Sequence, residues 1–582
     1  MAFVSDRRGV PELWVQDVPP GAGAPSPPAR VLPVGEDPIC SVTWSADGAW
    51  LACTAATGGG VRTQVWAVRP DGSGAVHLAG GADQHATLGP WTRSGHRLVI
   101  TTVGGVAGDS QHCDLVDPAT GRHTPLARGP LVDVLDLSAD ERFALLRDGL
   151  RGGRFCVILD RTRDVDHPLL PYPETGSTEA GVLRPAPGGA PGLVAYLVSD
   201  AGLPCPKLVA VPVGSDGHRG EGGVLASQPD GELEIVDADD AGRLLVLGWN
   251  VAGQTVIELR DAETGERQPV VDLPASVVSG LAMARDGRSV ILCVEEPAAP
   301  RRLWRLDTED LSLRALSDPP PLPDVKVVVP GLRRFEADDG LPLSGWLYRA
   351  PGGSGPGPVL VSLHGGPEAQ ERPVFNPQHQ ALVRAGISVF APNVRGSSGF
   401  GRAFAHADDR YGRYDAIADV GASVAYLIAA GIADPSRVAV GGRSYGGYLT
   451  LSAMVRYPKL FAAGVDICGM SDLTTFLRDT EPWIAAASVS KYGDPVHDRV
   501  LLSELSPLGH AAHIAAPVLV VHGEHDTNVS LSESTQLVAA LRAADNHVEY
   551  LELKGEGHEY RRASSQLELL RTVVGFLVDC IR

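Results

Sequence analysis

An all-β repeat followed by an alternating α/β half is the architecture that the 582 residues predict, and three features carry it. A unit of short strands and tight turns recurs about every 45 to 50 residues through the first half. The rhythm changes beyond the proline cluster Asp318-Pro319-Pro320-Pro321-Leu322-Pro323, where apolar strands begin to alternate with helical stretches. Within that second half, Gly441-Gly442-Arg443-Ser444-Tyr445-Gly446-Gly447-Tyr448 directly follows the apolar run Arg437 to Val440, a layout that turns a chain sharply from strand into helix.

The repeat runs from the start to about residue 317. Its turn appears as Ser45-Ala46-Asp47-Gly48, Arg93-Ser94-Gly95, Ser138-Ala139-Asp140-Glu141, Asp240-Ala241-Gly242 and Arg285-Asp286-Gly287. Each precedes an apolar strand such as Trp50-Leu51-Ala52-Cys53 or Ser289-Val290-Ile291-Leu292. Asp-Gly and its relatives supply the positive backbone angle that tight hairpins need. A later strand follows in each unit: Leu13-Trp14-Val15, Val65-Trp66-Ala67-Val68, Cys156-Val157-Ile158-Leu159, Val256-Ile257-Glu258-Leu259 and Leu303-Trp304-Arg305-Leu306. A period of this size made only of strands marks the blade of a β-propeller. With one more unit near Pro191-Gly192, where the turn marker is missing, the count reaches about seven blades. The first blade begins at Phe3-Val4-Ser5 with no inner strand before it. Residues 1–320 are therefore expected to form the propeller domain, and residues 321–582 the second domain.

In the second half, strands are expected at Pro358 to Leu363, Ile387 to Phe390, Arg437 to Val440, Pro517 to Val521 and Val548 to Leu553. Helices are expected at Asp415 to Ala430 and Leu531 to Ala543. That alternation predicts a largely parallel sheet, whose chemistry sits at the carboxyl ends of its strands.

Composition narrows the function. The length favours two or more domains, and 44% hydrophobic with 21% charged residues describes a soluble globular chain, not a disordered one. A formal net charge of −20 without a basic block argues against nucleic acid or an anionic membrane as partners. A homo-oligomer is compatible with it. The eight cysteines show no C-x-x-C spacing and read as buried free thiols, so no metal site and no cofactor is expected. Residues Met1 to Arg8 lack the layout of a secretory signal, and no apolar run reaches ~18 residues, so the chain is expected in the cytoplasm.

The segment around Ser444 has the G-x-S-x-G form of a nucleophile elbow, which lifts a serine oxygen to where a substrate carbonyl can meet it. A base and an orienting acid should follow in the order serine, acid, histidine. Asp526 lies on a loop after the strand ending at Val521, with Glu524 beside it as an alternative acid. His558 follows Gly557 after the next strand; His522 and His525 are rival bases that precede the acid. Ser444 as nucleophile, His558 as general base then acid, and Asp526 as holder of the imidazole tautomer make a complete triad. An oxyanion hole needs two aimed N–H groups. Tyr445, after the nucleophile, supplies one, and Gly366 in the strand-terminating run His364-Gly365-Gly366-Pro367 is the choice for the other.

These runs, together with Asn393 to Gly401, Ser506-Pro507-Leu508, His522 to Asp526 and Gly555 to Glu559, resemble the prolyl oligopeptidase family of serine peptidases. The His-Gly-Gly-Pro form is most similar to its acylaminoacyl peptidase and dipeptidyl aminopeptidase-like branch. The resemblance rests on motifs over about residues 330–582 and implies an α/β-hydrolase domain capped by the propeller, which would admit short peptides only. It further implies that Asn528 binds a substrate carbonyl, and that Tyr445, Phe476, Trp483 and Val529 line an apolar specificity pocket. Arg395 is expected to tie down its own loop. Relatives that release dipeptides hold the free amino terminus with an acidic pair from the propeller. The adjacent pair Glu295-Glu296 reads here as a solvated turn, which favours cleavage of blocked, acylated or internal short amides over strict dipeptidyl cleavage.

The sequence thus predicts a serine peptidase that hydrolyses short peptides or acyl-amino acid amides through an acyl-enzyme on Ser444. The alternatives are an esterase, amidase or acyl-transfer enzyme tailoring a small metabolite, and a catalytically silent propeller scaffold, which the intact triad argues against.

Overall fold

A computed structural model describes residues 1–18, 27–105, 110–170, 176–268, 271–317, 326–352 and 355–582. The proline cluster of residues 318–323, and with it the expected domain boundary, lies outside the described residues. The chain forms two compact units. One holds Met1–Thr57, Arg62–Glu295 and Arg301–Pro320, and the other Gly58–Val61, Glu296–Pro300 and Pro321–Arg582.

The first unit is a seven-blade β-propeller. Its sheets run from Ala2–Ser5 to Arg30–Leu32, Ile39–Trp44 to Val76–Ala79, Gln84–Trp91 to Arg122–Gly129, Asp133–Leu137 to Val165–Pro168, Thr178–Pro185 to Gly223–Ala226, Gly231–Ala238 to Gln254–Asp261, and Val277–Met283 to Leu313–Ala315. Strands adjacent in each sheet are adjacent in sequence. Among the described residues the first and sixth sheets have three strands and the others four. The recurring turns each join the first strand of a sheet to its second. Ser45 Oγ donates to Asp47 Oδ1 at 2.7 Å and accepts from Trp50 N at 2.9 Å, while Gly48 takes φ 68°. Ser138, Asp140 and Phe143 repeat the pattern at 2.6 and 2.9 Å, with Glu141 at φ 58°. The side-chain oxygen closes the turn that the backbone angle begins.

Buried charges join the blades. Arg93, between the strands of the third sheet, donates to both Asp136 oxygens of the fourth at 2.8 and 2.7 Å and to Asp240, next to the sixth, at 2.6 Å. Arg184 of the fifth sheet also reaches Asp136, and its Nε donates to the Asp239 carbonyl at 2.9 Å.

One expectation is corrected here. Glu295 does not sit in a solvated turn: it lies within the strand Ser289–Glu296, one residue before its end, is 7% exposed, and pairs with Arg301 Nε at 2.7 Å. A strand end packed among its neighbours leaves the carboxylate needing a partner, and Arg301 supplies it.

The second unit is an α/β-hydrolase domain. Its strands are β1 (Gly331–Glu336), β2 (Pro342–Tyr348), β3 (Gly357–Leu363), β4 (Ser388–Asn393), β5 (Ala433–Arg443), β6 (Ala463–Ile467), β7 (Val518–Gly523) and β8 (Val548–Leu553). They form one sheet in the order β1-β2-β4-β3-β5-β6-β7-β8. The pairs β1/β2 and β2/β4 are antiparallel and the rest parallel. β1, β2 and β6 were not foreseen from the sequence.

Alternating side chains of β3 feed two cores. Val359, Val361 and Leu363 pack with the helices Arg413–Ala429, Tyr445–Arg456 and Leu531–Ala543; Leu360 packs with Pro377–Arg384 and Ala563–Ile581. A sheet covered on both faces needs strands apolar on both sides, which is why Val518-Leu519-Val520-Val521 is buried throughout. Among the described residues no helix is long and apolar enough to cross a membrane, and no cysteine is disulfide-bonded.

Candidate active site

Ser444 stands between β5 and the helix Tyr445–Arg456 with φ 56° and ψ −119°, a conformation a side chain adopts only when the surroundings impose it. Those surroundings are explicit. Ser444 N donates to the Ile467 carbonyl of β6 at 2.8 Å, and a Cβ on Gly446 would fall 2.1 Å from the Leu363 carbonyl at the end of β3. Only glycine lets the elbow seat against that strand end. The Tyr445 N–H lies in the first helical turn, where N–H groups have no partner inside the helix.

The loop after β3 runs beside the elbow. A Cβ on Gly365 would sit 3.6 Å from that of Ser444, and Gly366 takes φ 135°, where a Cβ would crowd the Glu368 amide at 2.9 Å. His364 pins the loop, pairing with the Gly365 carbonyl at 2.7 Å and with Ser397 Oγ at 2.9 Å. Arg395 ties its loop to Asp419 at 2.9 Å and to Asp339 at 2.9 and 3.0 Å.

Asp526 follows β7, and His558 follows β8. Asp526 Oδ1 accepts from the amides of Asn528 and Val529, each at 2.9 Å, and Oδ2 accepts from His558 Nδ1 at 2.6 Å. Burial opposes ionisation of Asp526, but His558 and His522 outweigh it and hold the carboxyl well below the usual carboxylate range. Burial alone would lower the His558 pKa, yet the charges of Cys468 and Asp526 raise it above the usual histidine value. Ser444 Oγ makes no hydrogen bond to His558 among the described residues. Such bonds are commonly long before a substrate arrives.

The rival residues lie elsewhere. His525 is exposed. Glu524 binds Lys554 Nζ at 3.1 Å and the Gly555 amide at 3.0 Å. His522 is buried and pairs with Ser534 Oγ at 2.6 Å and the Val529 carbonyl at 2.8 Å, with Asp526 Oδ2 at 3.4 Å. It braces the acid's loop.

Tyr445, Phe476 and Val529 meet in one buried apolar cluster with Tyr448 and Tyr492, whereas Trp483 is partly exposed on the helix Pro482–Tyr492 and does not join it. Asn528 is partly exposed, and its carbonyl accepts from Thr480 Oγ1 at 2.7 Å.

Sequence reasoning missed three groups. Behind Tyr445, its hydroxyl meets Arg413 and lies 3.1 Å from Asp408, while Lys491 binds Glu368 and Asp409, both at 2.7 Å. Beneath His558, buried Glu556 accepts from the amides of Arg561 and Arg562 at 2.8 and 3.0 Å and fixes the loop. Beside His558 lies Cys468 at the end of β6, with φ 43° and its amide bonded to the Val521 carbonyl at 2.7 Å. Burial pushes the Cys468 thiol up, but His558 and Arg443 outweigh it and bring it down to about 7. Tyr445 with Arg413 and Cys468 with His558 meet from positions far apart in sequence, whereas Glu556 pairs within its own loop.

A strand–elbow–helix with a paired histidine and aspartate on the next loops defines an α/β-hydrolase fold with a hydrolase-type site. Residues 373–582 match the prolyl oligopeptidase family. The dipeptidyl aminopeptidase BIII of Pseudoxanthomonas mexicana is 28% identical over 424 residues, 69% of this chain and 60% of that protein. Dipeptidyl peptidase family member 6 of Caenorhabditis elegans is 36% identical over 233 residues, 39% of this chain and 31% of that protein. The chain thus matches less than two thirds of the length of either relative. A solved prolyl endopeptidase structure superposes over 100% of this chain and 88% of its own, with TM-score 0.84 at 16% identity, a likeness of fold.

Proposed function

We propose that the protein is a serine peptidase cleaving short peptides or acyl-amino acid amides through an acyl-enzyme on Ser444. The observation that carries this reading is Ser444, held at φ 56° at the end of β5, together with the His558–Asp526 pair at 2.6 Å on the loops after β7 and β8. In this reading Ser444 Oγ attacks the scissile carbonyl carbon while His558 Nε2 takes its proton. The carbonyl oxygen becomes an oxyanion, received by the amides of Tyr445 and Gly366. As the carbon–nitrogen bond breaks, His558 returns the proton to the leaving amine. Water then repeats the sequence on the ester and frees Ser444. Asp526 holds Nδ1–H throughout, so Nε2 is the nitrogen that works. Tyr445, Phe476 and Val529 offer an apolar wall to the residue before the scissile bond, Asn528 a donor to a carbonyl upstream of it, and Trp483 a more exposed flank.

A second reading, release of dipeptides from a free amino terminus, is favoured by one observation: the 28% identity over 424 residues to a dipeptidyl aminopeptidase.

Fluorophosphonate labelling, followed by cleavage of a peptide library with free and acetylated amino termini, tests both. Labelling of the native protein and not of Ser444→Ala supports the nucleophile, and labelling that persists in the variant sinks it. Preference for acetylated members supports the first substrate class; preference for free termini, lost in Glu296→Gln, supports the second. The propeller is proposed to restrict substrate size, so casein cleaved per bond as fast as a short peptide would remove that role.

A further inference from the structure

We infer that Cys468, Asp526 and His558 together form a binding site for a borderline-soft divalent metal ion, zinc above all, and that its occupancy switches the enzyme off. The switching rests on the proposed role of His558 as base; the binding does not. One donor atom from each of the three side chains lies within 4.8 Å of the other two, and all three residues are buried. Among the described residues no other group of three potential ligands gathers in this way. A thiolate, an imidazole and a carboxylate are zinc's own ligand types. A tetrahedral zinc with bonds of ~2.0–2.3 Å holds its ligands roughly 3.3–3.8 Å apart, so His558 Nδ1 and Asp526 Oδ2, 2.6 Å apart in the metal-free pair, open by about 1 Å, and no other separation need close by more than about 1.5 Å.

The backbone supports the site. Asp526 is anchored by the amides of Asn528 and Val529, and Cys468 by the bond from its amide to the Val521 carbonyl. The sulfur is therefore presented from a fixed point at a strand end, in a left-handed conformation (φ 43°) that a cysteine seldom takes. Proposed peptide hydrolysis gives this thiol no task, because Ser444 makes the attack. On binding, the Cys468 S–H proton leaves to solvent and a sulfur–zinc bond forms. The Nδ1 proton of His558 passes through solvent to Nε2, and the freed Nδ1 lone pair and a carboxylate oxygen of Asp526 complete three positions, with water in the fourth. No oxidation state changes. His558 committed to the metal cannot take the Ser444 proton, so acylation stops.

The test is titration of the whole protein with cobalt(II), which reports a thiolate ligand by a near-ultraviolet charge-transfer band, and separately with zinc against peptidase rate. The native protein should gain the band at one ion per chain, and Cys468→Ala and Cys468→Ser should lack it. With each protein referred to its own metal-free rate, zinc sufficient to slow the native enzyme about tenfold should slow the two variants less than about twofold, and a chelator should restore the native rate. No band in the native protein, or variants as zinc-sensitive as the native enzyme, would overturn the proposal. A band in native protein that cleaves no peptide would uphold the metal site and remove the peptidase reading instead, so the two failures are distinct. The serine variant keeps the side-chain volume and serves if the alanine variant does not fold.

Discussion

Both halves of this molecule bury charge, and they do so differently. In the propeller, Arg93 and Arg184 converge on Asp136, and Arg93 continues to Asp240. The planar guanidinium forks meet the carboxylates through several hydrogen bonds at once, so this network is a fixed clasp among blades far apart in sequence. In the catalytic half, Asp526 faces two histidines and a nearby cysteine, groups that gain or lose a proton near neutrality. The difference teaches that burial alone does not mark a functional site. A buried charge whose partners cannot titrate holds structure, and one whose partners can titrate is available for chemistry.

The contrast breaks hardest at Ser444. Ser444→Ala should lose turnover on the order of 10⁵-fold or more while keeping the native melting temperature, since the side chain adds no packing. Rate and thermal unfolding measured on one preparation check both halves of the statement. Asp526→Asn should cost about 10⁴ in turnover, because asparagine favours the wrong imidazole tautomer. Near-normal activity would return Glu524 as the acid.

The clasp should respond in the opposite way. Asp136→Ala leaves Arg93 and Arg184 buried without their shared partner, and should destabilise the propeller by about 3–5 kcal/mol. Fluorophosphonate labelling of the folded fraction should survive. Denaturant melts alongside labelling test this, and a variant that unfolds at the native midpoint would show that the clasp is not holding the blades.

The smallest expected effect is in pH. His558 works as a base only when neutral, and its pKa is raised by the charges of Cys468 and Asp526. The acid limb of kcat/KM should therefore lie above ~6.5, the unperturbed histidine value, and Cys468→Ala should move it down. A limb that stays in place would mean that the thiol carries no charge beside the working enzyme.

Some of this was legible in order along the chain. The propeller turns could be read because serine and aspartate close a hairpin with their own neighbours, and the oxyanion loop and elbow because glycine at fixed spacing is a local steric requirement. The strands β3, β5, β7 and β8 announced themselves as apolar runs beside those motifs. The strands β1, β2 and β6 did not, since β1 is a half-exposed edge strand, β2 carries Pro342, Ser344 and Gly345 among its apolar residues, and β6 is five residues long.

What the amino-acid order determined by itself was everything set by neighbours a few residues apart: repeat period, turn chemistry, the elbow and the order serine, acid, histidine. What only the tertiary structure decided was which distant groups share a buried environment. Arg413 came to lie behind Tyr445, Lys491 reached Glu368 and Asp409, and Cys468 arrived beside His558. The physical reason is that burial and charge act through space. A parallel sheet brings strand ends separated by tens of residues to within a few ångströms, and no local pattern records which side chains will meet there.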